Sequence, residues 1–203
     1  MIIGGYESCS LCDYPGCIAS VIFTQGCNFD CPFCHNRQLI PLQAAVKPFD
    51  IDNVMDHLHR RKGKLDAVVI SGGEPTIHED LADLASEIKR LGFLVKLDTN
   101  GSRPDVLGDL ISRKLIDFIA MDVKAPWNKY KALAGLYVDI EVIKESMTRI
   151  ETSRLPHVFR TTYVPWLMNM EDIRLIAEVL PLGSMYITQE YREPRASVLE
   201  SLG

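Results

Sequence analysis

Six short apolar runs alternate with five amphipathic stretches along the 203 residues, and this rhythm constrains the fold more than any other feature of the chain. The runs are Ile18–Thr24, Ala67–Ser71, Leu94–Asp98, Asp117–Asp122, His157–Val164 and Met185–Gln189. They are rich in Val and Ile and bounded by Gly, Pro or Asp, as parallel strands covered on both faces tend to be. Between them, Ile51, Val54, Met55 and Leu58 follow helical spacing, with Asp50 as N-cap and Gly63 as stop. Leu81, Leu84, Ala85 and Ile88 repeat it before Gly92. Leu107, Leu110 and Ile111 follow Pro104, and Ile140, Ile143, Met147 and Ile150 mark a fourth helix. Ile173, Ile176, Ala177 and Leu180 mark a fifth, between Asn169 and Pro181.

Strand–helix alternation implies parallel strands joined by right-handed crossovers, in a doubly wound sheet or in part of a (β/α) barrel. A full eight-fold barrel typically needs about 250 residues. Six strands in this length predict an α/β chain forming a partial, open (β/α)6 barrel of TIM type. It is expected to be one domain spanning 1–203, with the Cys-rich segment 1–17 leading into the barrel.

Polar residues recur where these strands end. Cys27 to Cys34 follow the first, Gly72-Gly73-Glu74-Pro75 the second, and Asp98-Thr99-Asn100-Gly101 closes the third. Asp122-Val123-Lys124 closes the fourth, Arg160, Thr161 and Thr162 lie in the fifth and Gln189 ends the sixth. Active sites of parallel α/β folds gather at the C-terminal strand ends. A series of polar strand ends therefore predicts a site.

The segment after the first strand reads Gly26-Cys27-Asn28-Phe29-Asp30-Cys31-Pro32-Phe33-Cys34-His35-Asn36, a Cys-x3-Cys-x2-Cys spacing. Structural zinc takes four ligands, and ordinary [4Fe–4S] clusters take four thiolates. Three close thiolates can hold three irons of a cubane and leave the fourth open to a small ligand. The plain alternative is a zinc knuckle completed by His35 or an earlier cysteine. Phe33 is placed to cover a bound planar group.

The formal net charge is -5, with both signs spread along the chain, which argues against a general nucleic-acid binder. The one dense basic cluster, Arg60-Arg61-Lys62, suits a helix end. No run approaches the roughly 18 apolar residues of a membrane span, and the first residues do not read as a signal peptide. A cytoplasmic location without membrane contact is expected. All six cysteines fall in the first 34 residues, which in that setting points to metal or redox chemistry rather than disulfides.

Cys-x3-Cys-x2-Cys with an aromatic residue before the last Cys resembles the radical S-adenosylmethionine (SAM) superfamily. Further stretches narrow the likeness: Asp13-Tyr14-Pro15-Gly16, Phe23-Thr24-Gln25-Gly26-Cys27, Cys34-His35-Asn36, Ser71-Gly72-Gly73-Glu74-Pro75, Lys96-Leu97-Asp98-Thr99-Asn100-Gly101 and Met121-Asp122-Val123-Lys124-Ala125-Pro126, in that order. Together they resemble the anaerobic ribonucleoside-triphosphate reductase activating proteins, relatives of the pyruvate formate-lyase activating enzyme. The resemblance runs from about Ile3 to Gln189. It implies a [4Fe–4S] cluster held by Cys27, Cys31 and Cys34, and reductive cleavage of SAM to a 5′-deoxyadenosyl radical. It implies that Gly72, Gly73 and Glu74 meet the methionyl amine, with Glu74 adding charge compensation. Asp98, Thr99 and Asp122 would form a monovalent-cation site, unless Asp98 and Asn100 merely cap a helix. Lys124 would stand near the SAM carboxylate, unless it is a surface lysine, and Arg160 and Gln189 would face SAM. Asp13 would lie near the cluster.

The resemblance further implies a glycyl-radical enzyme as protein substrate, admitted by the open barrel, with a flavodoxin or ferredoxin as electron donor. Two other readings stay open: a radical SAM enzyme acting on a small molecule, such as a nucleotide or cofactor precursor, and an iron–sulfur electron-transfer module. Cys9, Cys12 and Cys17 fall outside the family pattern. They are either buried small hydrophobes or ligands of a second metal centre.

Overall fold

The computed structural model describes residues 1–43 and 47–193. Its centre is one sheet of seven strands in sequential order. The strands are β1 (Ile3–Ser10), β2 (Ala19–Thr24), β3 (Ala67–Gly72), β4 (Leu94–Thr99), β5 (Phe118–Asp122), β6 (His157–Tyr163) and β7 (Met185–Glu190). All six predicted strands form, and β2 to β7 are parallel to one another. No pairing joins β7 to β1 among the described residues, so the barrel is open.

The addition to the expected fold is β1, which pairs antiparallel with β2, as Tyr6 with Ile22 and Glu7 with Val21. Its residues, Ile-Gly-Gly-Tyr-Glu-Ser-Cys-Ser, have no continuous apolar run. As an edge strand it does not need one, because only part of its surface is buried. This strand corrects the placement of Asp13, and the exposure of the extra cysteines corrects their reading as buried residues. The chain turns between Ser10 and Ala19 at the N-terminal end of β2, whereas Cys27 follows its C-terminal end. The six residues of β2 put about 20 Å between the two ends. Asp13 therefore lies far from Cys27, where it accepts from the Ser10 hydroxyl at 2.5 Å. Cys9 and Cys12 are exposed and Cys17 is half-buried, so they are not buried small hydrophobes. Nor, among the described residues, do any three His, Cys, Asp or Glu side chains converge as ligands of a single metal ion would.

The helices are α1 (Ile51–Arg61), α2 (Leu81–Arg90), α3 (Pro104–Ser112), α4 (Tyr130–Ala134), α5 (Ile140–Ser153) and α6 (Met170–Val179). Asp50 caps α1 by accepting from the Asp52 amide, and the Asn169–Asp172 pair forms a capping box on α6. Arg60 and Arg61 lie in the last turn of α1, as expected of cations at a helix C-terminus. The one helix without a predicted counterpart, α4, spans five residues, too few to show a period.

Alternate strand residues face opposite ways. Val68, Ile70, Val95, Leu97 and Ile119 pack with Leu58, Leu84, Ile88, Leu107 and Ile143 of the helices. The other face is apolar at its lower end, where Ala19, Val21, Ala67 and Val69 meet Tyr14 and Phe118. It turns charged at Lys96, in register with Val69 and Phe118, and above that layer at Asp98, Asp122 and Arg160. Ser146 of α5, fully buried, donates to the Gly101 carbonyl at 2.6 Å and so anchors the turn after β4. Replacing it with Ala orphans that bond in the interior. Ser146→Ala is expected to lower stability by about 1–3 kcal/mol, read from the urea midpoint.

Candidate active site

The loop after β2 is held at several points. The amides of Gly26 and Cys27 donate to the carbonyls of Leu39 and Ile40, and that of Asp30 donates to Ala134. The Cys34 amide closes a turn on the Cys31 carbonyl at 3.0 Å, and Arg37 binds the same carbonyl from outside. Phe29 and Phe33 are buried beside Cys31. Gly135, in the left-handed conformation after α4, lies against this loop so closely that a Cβ there would sit 1.8 Å from the Asp30 carbonyl oxygen.

The turn after β3 packs on the loop just as tightly. A Cβ on Gly73 would stand 2.0 Å from the Gly26 oxygen, and Gly72 adopts φ +121 with the Thr24 backbone against it. The glycines thus serve the approach of one backbone to another. Glu74 follows, 1% exposed. One carboxylate oxygen accepts from the Thr76 amide, the Thr76 hydroxyl and the Thr99 hydroxyl, and the other accepts from the Asn100 amide at 2.6 Å. Burial raises its pKa above the usual carboxylate range, while those four donors oppose the rise. The expectation of a free counter-charge is therefore revised. The Glu74 carboxylate is committed to joining the ends of β3 and β4.

Beside it lies a chain of ion pairs. Lys96 donates to Asp98 at 2.5 Å, and the Ser71 hydroxyl donates to Asp98 at 3.2 Å. Arg160 bridges Asp98 at 3.3 Å and Asp122 at 2.9 Å, and Lys124 reaches Asp122 at 2.9 Å. Burial acting alone would raise Asp122, but Arg160 and Lys124 overcome it and hold the carboxyl well below the usual range. Burial would likewise lower Lys124 and Arg160, and Asp122 outweighs it in both, so both stay charged. Lys124 is thus no free surface lysine.

Thirteen of the residues singled out in the sequence line one cavity at the C-terminal ends of the strands. Cys27, Cys31, Cys34 and Phe33 form one wall, and Gly72, Gly73 and Glu74 adjoin it. Asp98, Thr99, Asp122, Lys124, Arg160 and Gln189 complete the lining. Burial pushes the Cys27 thiol up to about 12 and raises Cys31 as well, so both are neutral thiols until a metal displaces their protons. His35 does not complete a knuckle with them. Its Nε2 faces the Arg192 carbonyl at 2.6 Å and its ring stacks on Tyr191. Each thiolate of a cubane binds a different iron, so the three sulfurs need not crowd round one point.

From sequence alone, Ser71, Thr162 and Lys96 had no role of their own, and Asn100 only a capping role. Ser71 and Thr162 are small polar residues without a distinctive pattern. Lys96 did leave a signal: it stands two residues before Asp98 in an otherwise apolar strand, on the same face.

Residues 21–180 match the family model described as the Radical SAM superfamily. A Methanocaldococcus jannaschii protein with the provisional name glycyl-radical enzyme activating enzyme is 39% identical over 200 residues, covering 96% of this chain and 81% of that protein. The structure of Streptococcus suis SuiB bound to S-adenosylmethionine superposes with a TM-score of 0.66 at 17% identity, over 88% of this chain and 41% of that one. A domain of pyruvate-formate lyase-activating enzyme from Bacteroides vulgatus superposes with a TM-score of 0.51 at 21% identity, over 60% of this chain and 76% of that domain. This chain thus spans about two fifths of SuiB, and at these identities the structural likeness speaks for the fold.

Two outcomes follow from the carboxylates of Glu74 and Asp122. Glu74→Gln turns an amide donor toward groups that already donate, and is expected to cost about 1–3 kcal/mol in chemical denaturation. The folded state holds Asp122 ionised below the pH at which the unfolded chain protonates it. The stability it contributes is complete above about pH 4 and drains as pH falls further. Between pH 4 and pH 2.5, approximately, the thermal midpoint of Asp122→Asn should fall less steeply than that of the parent.

Proposed function

The chain belongs to the radical SAM superfamily, and from that premise we propose that Cys27, Cys31 and Cys34 hold a [4Fe–4S] cluster whose open iron binds SAM in the adjoining cavity. The reading treats residues 1–203 as one radical SAM domain. When bound, the cluster supplies the electron that cleaves the sulfonium of SAM to methionine and a 5′-deoxyadenosyl radical. This chain's residues bind, orient and shield. The three thiols share one tethered loop, and the donor set suits a cubane better than a single ion. Phe33, buried beside Cys34, excludes water from that wall. The turn at Gly72 and Gly73 offers backbone groups to the methionyl amine. Lys124 and Arg160 present positive charge to the carboxylate, and Gln189 offers an amide at the far rim.

The observation that carries the proposal is the convergence on one cavity of three thiols and the polar ends of five further parallel strands. A protein substrate, a glycyl-radical enzyme of the anaerobic ribonucleotide reductase type, is favoured over a small molecule by the last wall. β7 pairs only with β6 among the described residues, and Gln189 and Glu190 beside the cavity are exposed. The cavity thus opens along a free sheet edge where a partner's loop can enter. A flavodoxin or ferredoxin would supply the electron. Six free thiols accord with a reducing, cytoplasmic setting, and among the described residues no helix is long and apolar enough to cross a membrane.

Anaerobic reconstitution with iron and sulfide tests the proposal. The parent protein, reduced and given SAM, is expected to release 5′-deoxyadenosine, and Cys27→Ala, Cys31→Ala and Cys34→Ala should each lose bound iron and fall to background. With its cognate partner it should produce a glycyl doublet by EPR. Deoxyadenosine without a doublet from any glycyl-radical enzyme would move the assignment to a small-molecule substrate, and zinc in place of iron would end it.

A further inference from the structure

Lys96 is an unusual residue for its position. It sits in the middle of β4, paired in register with Val69 on one side and Phe118 on the other, both part of the lower apolar layer. Only 4% of its side chain is exposed. An ammonium in such a place is costly unless a partner compensates it. Its partner is the Asp98 carboxylate, at 2.5 Å. Lys96 does not line the cavity; it lies behind Asp98, which does.

The three residues expected to bind a monovalent cation are all engaged by other groups. Asp98 accepts from Lys96, Ser71 and Arg160. The Thr99 hydroxyl donates to Glu74 and accepts from the Gly101 amide. Asp122 accepts from Arg160 and Lys124. Asp98 and Asp122 thus face three fixed cations, with the Glu74 carboxylate held against Thr99 beside them, so the fixed charges balance by simple count. A metal cation would have to enter beside three fixed cations that already compensate these carboxylates, at a mutual cost that scales inversely with distance and dielectric. The residues present do not fit the ion.

We propose that this chain carries its own counter-cation: the Lys96 ammonium, seated beneath Asp98 and flanked by Arg160, does what a bound monovalent metal would do, and the site works without one. Lys96 is a positioning residue, acting through Asp98. Lys124 and Arg160 line the cavity and suit an anionic group of the ligand. The inference rests on the ion pairs of the protein itself, and its test reads cation binding by the chain, so it stands or fails separately from the SAM proposal.

The full-length protein is melted in sodium, potassium and choline chloride at one ionic strength, and sodium binding is followed by the sodium NMR linewidth. The parent protein should melt at one temperature in all three salts and show no saturable sodium broadening. Lys96→Ala removes the internal cation and leaves a gap beside Asp98. It should melt lower in choline, recover by at least about 2 °C in sodium or potassium, and gain saturable sodium broadening. Lys96→Arg, which keeps the charge, should remain indifferent to the salt. Should the alanine variant fail to fold, Lys96→Gln carries the same comparison. Saturable sodium binding by the parent would overturn the proposal. So would a charge-removing variant that melts equally low in all three salts, because a lysine that merely packs would behave that way.

Discussion

The geometry of the site turns on the carboxylate of Glu74. It is buried, and it is tolerable there because both oxygens are met by donors, two from its own turn and two from the end of β4. It thereby fixes the spacing of the β3 and β4 ends. The preceding Gly72 and Gly73 lie against the backbone of Thr24 and Gly26, where any side chain would collide. The cysteine loop, the glycine turn and the end of β4 therefore move as one unit. A cluster site requires ligands held in fixed relation, and here a single buried carboxylate and two side-chain-free positions provide that relation.

The opposite wall is built on charge rather than contact. Arg160 of β6 bridges Asp98 of β4 and Asp122 of β5, and Lys96 and Lys124 close the ends of the series. Fixed ion pairs of this kind orient one another before any ligand arrives, so little reorganisation remains to be done on binding. Their partial burial keeps them from being screened as surface pairs are. The two walls thus divide the work. The neutral, buried thiols await a metal, and the charged wall awaits a ligand bearing an anion.

The far end of the barrel has a different character. The extra cysteines and Asp13 gather there, past the lower apolar layer and separated from the cavity by the length of β2. The family resemblance placed Asp13 near the cluster. One strand crossing the whole sheet is enough to separate them.

The six parallel strands, five helices, three thiols and polar strand ends were legible in the sequence because each signal is local. Apolar runs, helical spacing, Asp50, Asn169 and Pro104 act within a few residues of themselves. The likeness of the motifs to a known family then gathered the polar ends into one site. What local signals do not carry is which distant residues meet. The pairing of β1 with β2, the closing of Gly135 on Asp30, the reach of Glu74 to Thr99 and the bridge from Arg160 to two carboxylates all depend on sheet register and on the helices that return each strand to its neighbour. Lys96 and Asp98 stand between the two cases. Their spacing in the sequence set them on one face, but only the neighbouring strands buried the lysine and gave its charge a purpose.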